Sequence, residues 1–176
     1  SAAVTDRPVV VLGLMGAGKT TVARLIAQHL GRPLRDSDAD IEAATGHTAA
    51  TLAAGPDGRR RLHDLEAEHV LSALAEGPVV IAAAASVVER PVVRTALAAA
   101  RVLWLDAPPE VLAARMTSST HRPDYGDPLE VVQALDRRRR PLFTAVADVV
   151  IDASKPTGTV QRDALAAVDV TPPPYT

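Results

Sequence analysis

The sequence predicts an α/β fold, in which a five-stranded parallel sheet carries helices on both faces. Short apolar segments alternate with helix-length amphipathic ones, a glycine-rich loop follows the first apolar segment, and 47% of the 176 residues are hydrophobic. Alternation of this kind is typical of βαβ units, whose parallel strands are covered on both sides. No repeat or linker divides the chain. We therefore predict a single domain over residues 1–168, followed by a Pro-rich tail over 169–176.

Apolar runs rich in β-branched residues predict the five strands, and 3.6-residue periodicity with capping residues predicts the helices between them. The strands are expected at 9–12, 34–36, 78–83, 102–105 and 149–151. The helices are expected at 20–30, 40–45, 48–54, 59–76, 92–100, 108–116, 128–140 and 157–168. Residues 117–127 are rich in Ser, Thr, Pro and Gly and show no periodicity, which predicts a mobile segment.

The composition excludes several classes of function. The 19 basic and 21 acidic residues give a net charge of −2, which argues against nucleic-acid binding. The sequence contains no apolar run of about 18 residues and no signal-peptide pattern, so we expect neither a membrane span nor secretion. The chain has no cysteine, which excludes disulfides, thiolate metal sites and thiol catalysis. We expect a cytoplasmic monomer whose partner is a small molecule.

Residues 13–20 match the phosphate-loop pattern G-x-x-x-x-G-K-[ST] between a predicted strand and a predicted helix. In such a loop the backbone amides surround the phosphates, Lys19 reaches the β- and γ-phosphates, and the Thr20 hydroxyl binds Mg²⁺. The alternative is a glycine-rich turn without a ligand, but Lys19 is one of only two lysines among 19 basic residues. The predicted nucleotide-binding residues here are Gly13, Met15, Gly16, Ala17, Gly18, Lys19, Thr20 and Thr21.

A single phosphate loop in a short chain favours a small-molecule kinase, and the base-reading N-K-x-D motif of GTPases is absent. The order of motifs from about residue 9 to 168 resembles the shikimate kinase family. Residues 36–42 (DSDADIE) are similar to its D-T-D-x-x-I-E segment, and residues 139–143 (RRPLF) to its R-x-P-L-Y segment. This resemblance implies a P-loop, nucleoside-monophosphate-kinase-like fold with a lid at about 117–127. It also implies ATP and Mg²⁺ as cofactors and shikimate as the acceptor, in aromatic amino acid biosynthesis.

The resemblance also implies roles for three residues beside the phosphates. Asp38 would orient or deprotonate the acceptor hydroxyl, Asp36 would hold a water on Mg²⁺, and Arg122 would close over the phosphates from the lid. The predicted catalytic residues are thus Asp38, Lys19 and Arg122, and the predicted metal residues are Thr20 and Asp36. A purely structural interpretation stays open, in which Asp36 and Asp38 belong to a helix-capping cluster and Arg122 is a solvated loop residue.

Further roles follow from the same resemblance. Arg115 would stack on adenine, Lys155 and Pro156 would lie in the adenine-contacting loop, and Arg139 would bind the acceptor carboxylate. Two alternatives are that Arg115 is an exposed cation at a helix end and that the arginines at 137–140 form a solvated helix face. At most one or two of those four arginines can face the site, because successive residues are rotated by about 100°.

The acceptor side departs from the family pattern at two places. His63 stands where the family has a carboxylate-binding arginine, and Ala84-Ala85-Ser86 stands where it has three glycines. Arg59 and Arg60, one turn before His63, offer a replacement charge. The predicted acceptor-binding residues are Asp38, His63, Ala84, Ala85 and Arg139.

These departures leave the acceptor open. The alternatives to shikimate are another cyclitol, a sugar acid or a nucleoside. A further alternative is an ATP-binding protein that has lost phosphoryl transfer and acts through partners.

Overall fold

The computed structural model describes residues 6–117 and 126–169, and within these ranges the five-stranded parallel sheet is confirmed. The strands are β1 (Val9–Leu12), β2 (Leu34–Asp36), β3 (Val80–Ala82), β4 (Arg101–Asp106) and β5 (Val149–Asp152). Their order in the sheet is β2-β3-β1-β4-β5, and every neighbouring pair is parallel. The carboxyl ends of β1, β2 and β3 therefore lie side by side at one edge of the sheet.

Eight α-helices connect and cover the strands in the described ranges. They are α1 (Lys19–Leu30), α2 (Ser37–Thr45), α3 (Ala49–Ala53), α4 (Gly58–Leu74), α5 (Pro91–Ala96), α6 (Pro109–Thr117), α7 (Pro128–Val146) and α8 (Thr157–Val168). Two 3₁₀ turns, Ala85–Glu89 and Leu97–Ala99, flank α5. Helices α1 and α8 pack on each other, whereas α4, α5 and α7 gather around the turn Ala85–Glu89. None of the helices in these ranges is long and apolar enough to cross a membrane.

The central strands are buried on both faces, which explains why they read as continuous apolar runs. All four residues of β1 are buried, and so are the four inner residues of β4. The neighbouring helices contribute apolar stripes such as Val22, Ile26 and Val160 to the same core. The core therefore lies between the sheet and its helices, and it leaves the carboxyl edge of the sheet free for a ligand.

Several boundaries differ from the predicted ones. Helix α2 begins at Ser37 rather than at residue 40, because Asp36 accepts a hydrogen bond from the Ala39 amide and caps the helix earlier. The predicted helix at 92–100 divides into α5 and a 3₁₀ turn. Helix α7 continues to Val146 instead of ending at residue 140, although Pro141 removes one backbone donor. Burial of Phe143, which is 1% exposed, stabilises this extra segment.

Two glycines of the phosphate loop are required by its geometry. A Cβ on Gly13 would lie 2.7 Å from the Leu105 carbonyl oxygen in β4, so a side chain there would collide with backbone. Gly18 adopts φ 94° at the start of α1, a left-handed conformation that side-chain-bearing residues rarely adopt. The loop is thereby held against the sheet, with the amino end of α1 turned towards it.

Helix α7 is attached to the sheet by an aromatic and ionic cluster. The rings of Trp104 and Phe143 stack with centroids 5.3 Å apart, and the Arg140 guanidinium lies 5.0 Å from the Trp104 centroid. Arg140 also makes two hydrogen bonds, of 2.8 and 3.0 Å, to Asp106 at the end of β4. Because Arg140 is committed to the sheet, its neighbour Arg139 is turned to a different side of the helix.

We expect Phe143→Ala to lower the free energy of unfolding by about 3–5 kcal/mol, because it removes a buried ring and leaves a cavity. For a domain of this size the loss corresponds to roughly 6–20 °C in Tm, measured by calorimetry. Val92 is 60% exposed, so Val92→Ala is the matched control and should change stability by less than about 0.5 kcal/mol. Equal effects of the two variants would contradict this account of α7.

Candidate functional site

A cavity of about 600 Å³ opens at the carboxyl edge of β1, β2 and β3. Its wall includes residues from the phosphate loop, from the start of α2, from α4, from the segment after β3, and from α7. Sheet order brings these elements together, because β1, β2 and β3 are adjacent although they are distant in sequence. The volume is in the usual range for pockets that hold small molecules.

The phosphate loop places its lysine at the floor of this cavity. The Lys19 ammonium donates hydrogen bonds to the carbonyl oxygens of Gly13, at 2.7 Å, and Leu14, at 3.3 Å. Burial lowers the pKa of Lys19 to about 8, although the nearby carboxylates of Asp38 and Glu66 oppose this shift. The ammonium is thus a desolvated cation next to a helix amino terminus, which is an arrangement suited to a phosphate anion.

Thr20 and Asp36 meet at the mouth of the loop. The Thr20 hydroxyl donates a 2.6 Å hydrogen bond to Oδ2 of Asp36, while Oδ1 of Asp36 caps α2. The predicted capping role therefore applies to one oxygen of Asp36 only, because the other oxygen binds Thr20 of the phosphate loop. A hydroxyl and a carboxylate at one point are the hard oxygen donors that Mg²⁺ prefers, so these residues fit the ion.

Among the residues that the structure describes, no group of three or more histidines and carboxylates is placed to hold a metal ion. Mg²⁺ in kinases is held by one or two protein groups together with substrate phosphates, and it does not need such a group.

Two further carboxyl groups line the cavity. Desolvation raises the pKa of Asp38, and the neighbouring Asp36 adds to this shift, whereas Lys19 opposes it. Glu66 on α4 is 7% exposed, burial raises its pKa, and its Oε1 accepts a 2.9 Å hydrogen bond from the Ser86 hydroxyl. Asp38 lies on the first turn of α2 and is the more exposed of the two, so it is the carboxylate more accessible from the cavity.

Arg139 is the arginine of the 137–140 run that faces the cavity. Only 7% of the residue is exposed, and its Nε and Nη2 lie 3.1 and 3.0 Å from Oε2 of Glu89. Arg138 pairs with the other oxygen of the same glutamate. Arg139 therefore reaches the predicted acceptor site, but a carboxylate of the protein itself already contacts it.

His63, Ala84 and Ala85 also lie in the cavity wall, together with Arg59. Burial lowers the pKa of His63, and the nearby Arg139, Arg90 and Arg59 add to this effect while Glu89 opposes it, so the site favours the neutral imidazole. Arg60, the other replacement considered for the missing arginine, instead lies 3.5 Å from Asp57 on the exposed surface. Of these two arginines, the structure brings only Arg59 to the cavity.

The remaining predicted nucleotide residues surround a second cavity of about 240 Å³ on the other side of the phosphate loop. It is lined by Gly16, Ala17, Gly18, Thr21, Arg115 and Lys155, among others. Arg115 donates hydrogen bonds to the carbonyl oxygens of Gly16, at 3.0 Å, and Ala153, at 2.7 Å, so it ties the loop to the segment after β5. Pro156 precedes α8 between two residues that line this cavity.

Arg122 and most of the predicted lid at 117–127 lie outside the described residues. Sequence reasoning missed Glu89, which contacts Arg139 from fifty positions away and carries no motif of its own. It also considered Ser86 only as a replacement for a glycine of the family pattern, whereas the Ser86 hydroxyl donates a hydrogen bond to the buried Glu66.

Comparison with known proteins gives consistent results. The family model for shikimate kinase matches residues 15–169. A shikimate kinase of Symbiobacterium thermophilum is 43% identical over 150 residues, covering 81% of this chain and 84% of that protein. A shikimate kinase of Thermobifida fusca is 37% identical over 155 residues, covering 87% and 90%. The structure of a shikimate kinase from Acinetobacter baumannii in complex with shikimate has a TM-score of 0.83 at 28% identity, covering 94% and 92%.

The lowered pKa of Lys19 leads to a pH prediction. Below about pH 8 the ammonium is charged and attracts phosphate, and above this pH the free protein loses that charge. We expect ATP affinity, measured by calorimetry, to fall as the pH rises from 7 to 9.5, by up to about tenfold per unit above pH 8. Lys19→Arg keeps its charge over this range, so its binding should be flat with pH. A flat curve for the wild-type protein would contradict the assignment.

Proposed function

The chain belongs to the shikimate kinase family, and on that premise we propose that it transfers the γ-phosphoryl group of ATP to a ring hydroxyl, with shikimate the first candidate acceptor. The observation that carries the proposal is the meeting of Lys19 and Thr20 with Asp36 and Asp38 in one cavity of about 600 Å³. Phosphoryl transfer is favoured by a desolvated cation, by oxygen ligands for a metal ion and by a carboxylate beside the acceptor. Lys19, the pair of Thr20 and Asp36, and Asp38 are proposed to supply these groups in turn.

Asp38 is the proposed catalytic carboxylate. It accepts a hydrogen bond from the acceptor hydroxyl, orients the oxygen towards the phosphorus and takes up its proton. The raised pKa makes this carboxylate a stronger base and brings its pKa closer to the working pH, which favours proton uptake from the hydroxyl. Lys19 stabilises the charge that develops on the transferring phosphoryl group, and Arg122 is proposed to add a second cation from the predicted lid.

Thr20 and Asp36 are the residues proposed to hold Mg²⁺, which neutralises charge on the β- and γ-phosphates when it is bound. The second cavity is proposed to take the adenine, next to Arg115, Lys155 and Pro156. Because the reaction uses ATP and a small acceptor, we propose the cytoplasm as its compartment. We also propose that the protein acts as a monomer.

Acceptor-dependent release of ADP tests the proposed reaction. Purified protein with ATP and Mg²⁺ is given shikimate, other cyclitols, sugar acids and nucleosides in turn. ADP release that depends on one of these acceptors supports a kinase. Tight ATP binding without turnover on any acceptor would instead support the alternative in which the protein only binds nucleotide.

We expect Asp38→Asn to lower kcat by about 10²–10⁴-fold, because the amide keeps the shape but cannot accept the proton. ATP affinity should change little. The acid limb of the wild-type pH–rate profile should lie above the ordinary range of an aspartate and should be lost in the variant. The control is Asp40→Asn, because Asp40 pairs with His69 at 2.8 Å rather than lining the cavity, and it should stay within about threefold of wild type. A drop of less than threefold in Asp38→Asn would assign Asp38 to a capping role.

His63→Arg tests whether shikimate is the acceptor. We expect weak activity of the wild-type protein on shikimate, because a neutral histidine supplies no full charge to its carboxylate. A restored charge-assisted contact is worth about 1.5–3 kcal/mol, so the apparent KM for shikimate should fall roughly 10-fold or more. Strong wild-type activity on shikimate would show that Arg59 already provides this contact. No gain in the variant, with good turnover of an uncharged acceptor, would assign the site to that acceptor instead.

A further inference from the structure

The 3₁₀ turn Ala85–Glu89 supplies internal partners to two ionisable groups of the acceptor cavity. The Ser86 hydroxyl donates to Oε1 of Glu66 at 2.9 Å, and Oε2 of Glu89 accepts from Nε and Nη2 of Arg139 at 3.1 and 3.0 Å. Both cavity residues are more than nine-tenths buried. The turn therefore takes up hydrogen-bonding capacity that a bound acceptor would otherwise use.

Glu89 is held firmly in this position. Its second oxygen pairs with Arg138, so one carboxylate bridges two consecutive arginines of α7. The side chain of Glu89 is 19% exposed and that of Arg139 only 9%, so solvent screens their attraction weakly. Because Glu89 belongs to the same chain, it is present at Arg139 at a high effective concentration, which a dissolved carboxylate has to overcome.

An acceptor carboxylate that reaches Arg139 has two possibilities, and both cost free energy. It can share the guanidinium with Glu89, in which case two like charges lie close together in a poorly solvated place. It can displace Glu89, which leaves that carboxylate with Arg138 as its remaining arginine partner. A neutral ring with hydroxyl groups meets neither cost, since hydroxyls can hydrogen-bond to Asp38 and Glu66 without adding charge.

At the family's usual arginine position the cavity wall carries His63. Burial and the nearby Arg139 disfavour the protonation of His63, although Glu89 opposes this effect. Arg59 is the other arginine in the described wall, and it makes an interaction of its own.

We propose that Glu89 determines the acceptor preference of this protein, by occupying Arg139 as an internal counter-ion, so that the cavity favours an uncharged polyhydroxylated ring over a carboxylated one. This inference rests on the proposed phosphoryl transfer to a ring hydroxyl. Glu89 acts through Arg139 and is a positioning residue, so its substitution should change acceptor binding rather than the chemical step.

The test compares two acceptors with the same ring, namely shikimate and its methyl ester, in which a methyl group removes the carboxylate charge. KM and kcat for both are measured by ADP release with wild-type protein, with Glu89→Gln and with a control, Glu76→Gln. Glu76 forms a 2.9 Å ion pair with Arg35, and neither residue lines the cavity. Its substitution therefore also removes one glutamate–arginine pair. Thermal unfolding and ATP affinity are measured for each variant to show that it is folded.

We expect the wild-type protein to use the ester at least as well as the acid, judged by kcat/KM. In Glu89→Gln the KM for shikimate should fall by about tenfold, because Arg139 becomes available for a charge-assisted contact. The KM for the ester and kcat for both acceptors should change by less than about twofold, as expected when only ground-state binding is altered. Glu76→Gln should leave the ratio of the two acceptors at its wild-type value.

Two results would overturn the inference. One is wild-type use of shikimate more than tenfold better than the ester, which decides the matter even if Glu89→Gln does not fold. The other is an equal effect of Glu89→Gln on both acceptors, which would mean that Glu89 only stabilises the contact between its turn and α7.

A protein that turns over neither acceptor, nor any other, would contradict the proposed function separately. Calorimetric titration of acid and ester into the wild-type and Glu89→Gln proteins then still measures whether Glu89 controls the preference.

Discussion

The close approach of Gly13 to the carbonyl of Leu105 is the contact on which the rest of the site depends. It brings the end of β1 against β4, so the phosphate loop turns over the carboxyl edge of the sheet rather than away from it. From this position the amino end of α1 and the Lys19 ammonium face the adjacent ends of β2 and β3. Asp36 is the last residue of β2, and alanines follow β3, so the neighbouring strands complete the cavity around the loop.

Charge is distributed unevenly over this cavity. On the nucleotide side, burial disfavours the charge of Lys19, and a bound phosphate would remove that disadvantage by pairing with it. Asp36 joins the two halves, because one oxygen caps α2 while the other accepts from Thr20. A single aspartate thus aligns the helix that carries Asp38 with the loop that carries Lys19. The predicted capping and metal-binding roles of Asp36 are compatible, since each uses a different oxygen.

The two departures from the family pattern that the sequence shows lie on the acceptor side. The residues that depart from the family pattern, His63 and Ala84-Ala85-Ser86, all lie in the cavity wall, whereas the phosphate loop keeps its complete motif. Ser86 and Glu89 lie on one short turn and bind the buried groups Glu66 and Arg139. The family relationship therefore accounts for the transfer of a phosphoryl group, and the dependence of the acceptor preference on this turn is the proposal that the methyl ester comparison tests.

The sequence by itself determined the parallel sheet, the phosphate loop and the family. These features are encoded locally, by apolar runs covered on both faces and by a contiguous motif with specific backbone requirements. It also placed Asp36, Asp38 and Arg139 on plausible elements through short segments similar to those of the family. The family resemblance had already selected Arg139 from the four arginines, and the tertiary structure supplied the physical reason, because Arg140 is held by Asp106 and Trp104. Only the tertiary structure paired Arg139 with Glu89, since that contact joins side chains fifty residues apart whose distance depends on the packing of α7 against the turn after β3.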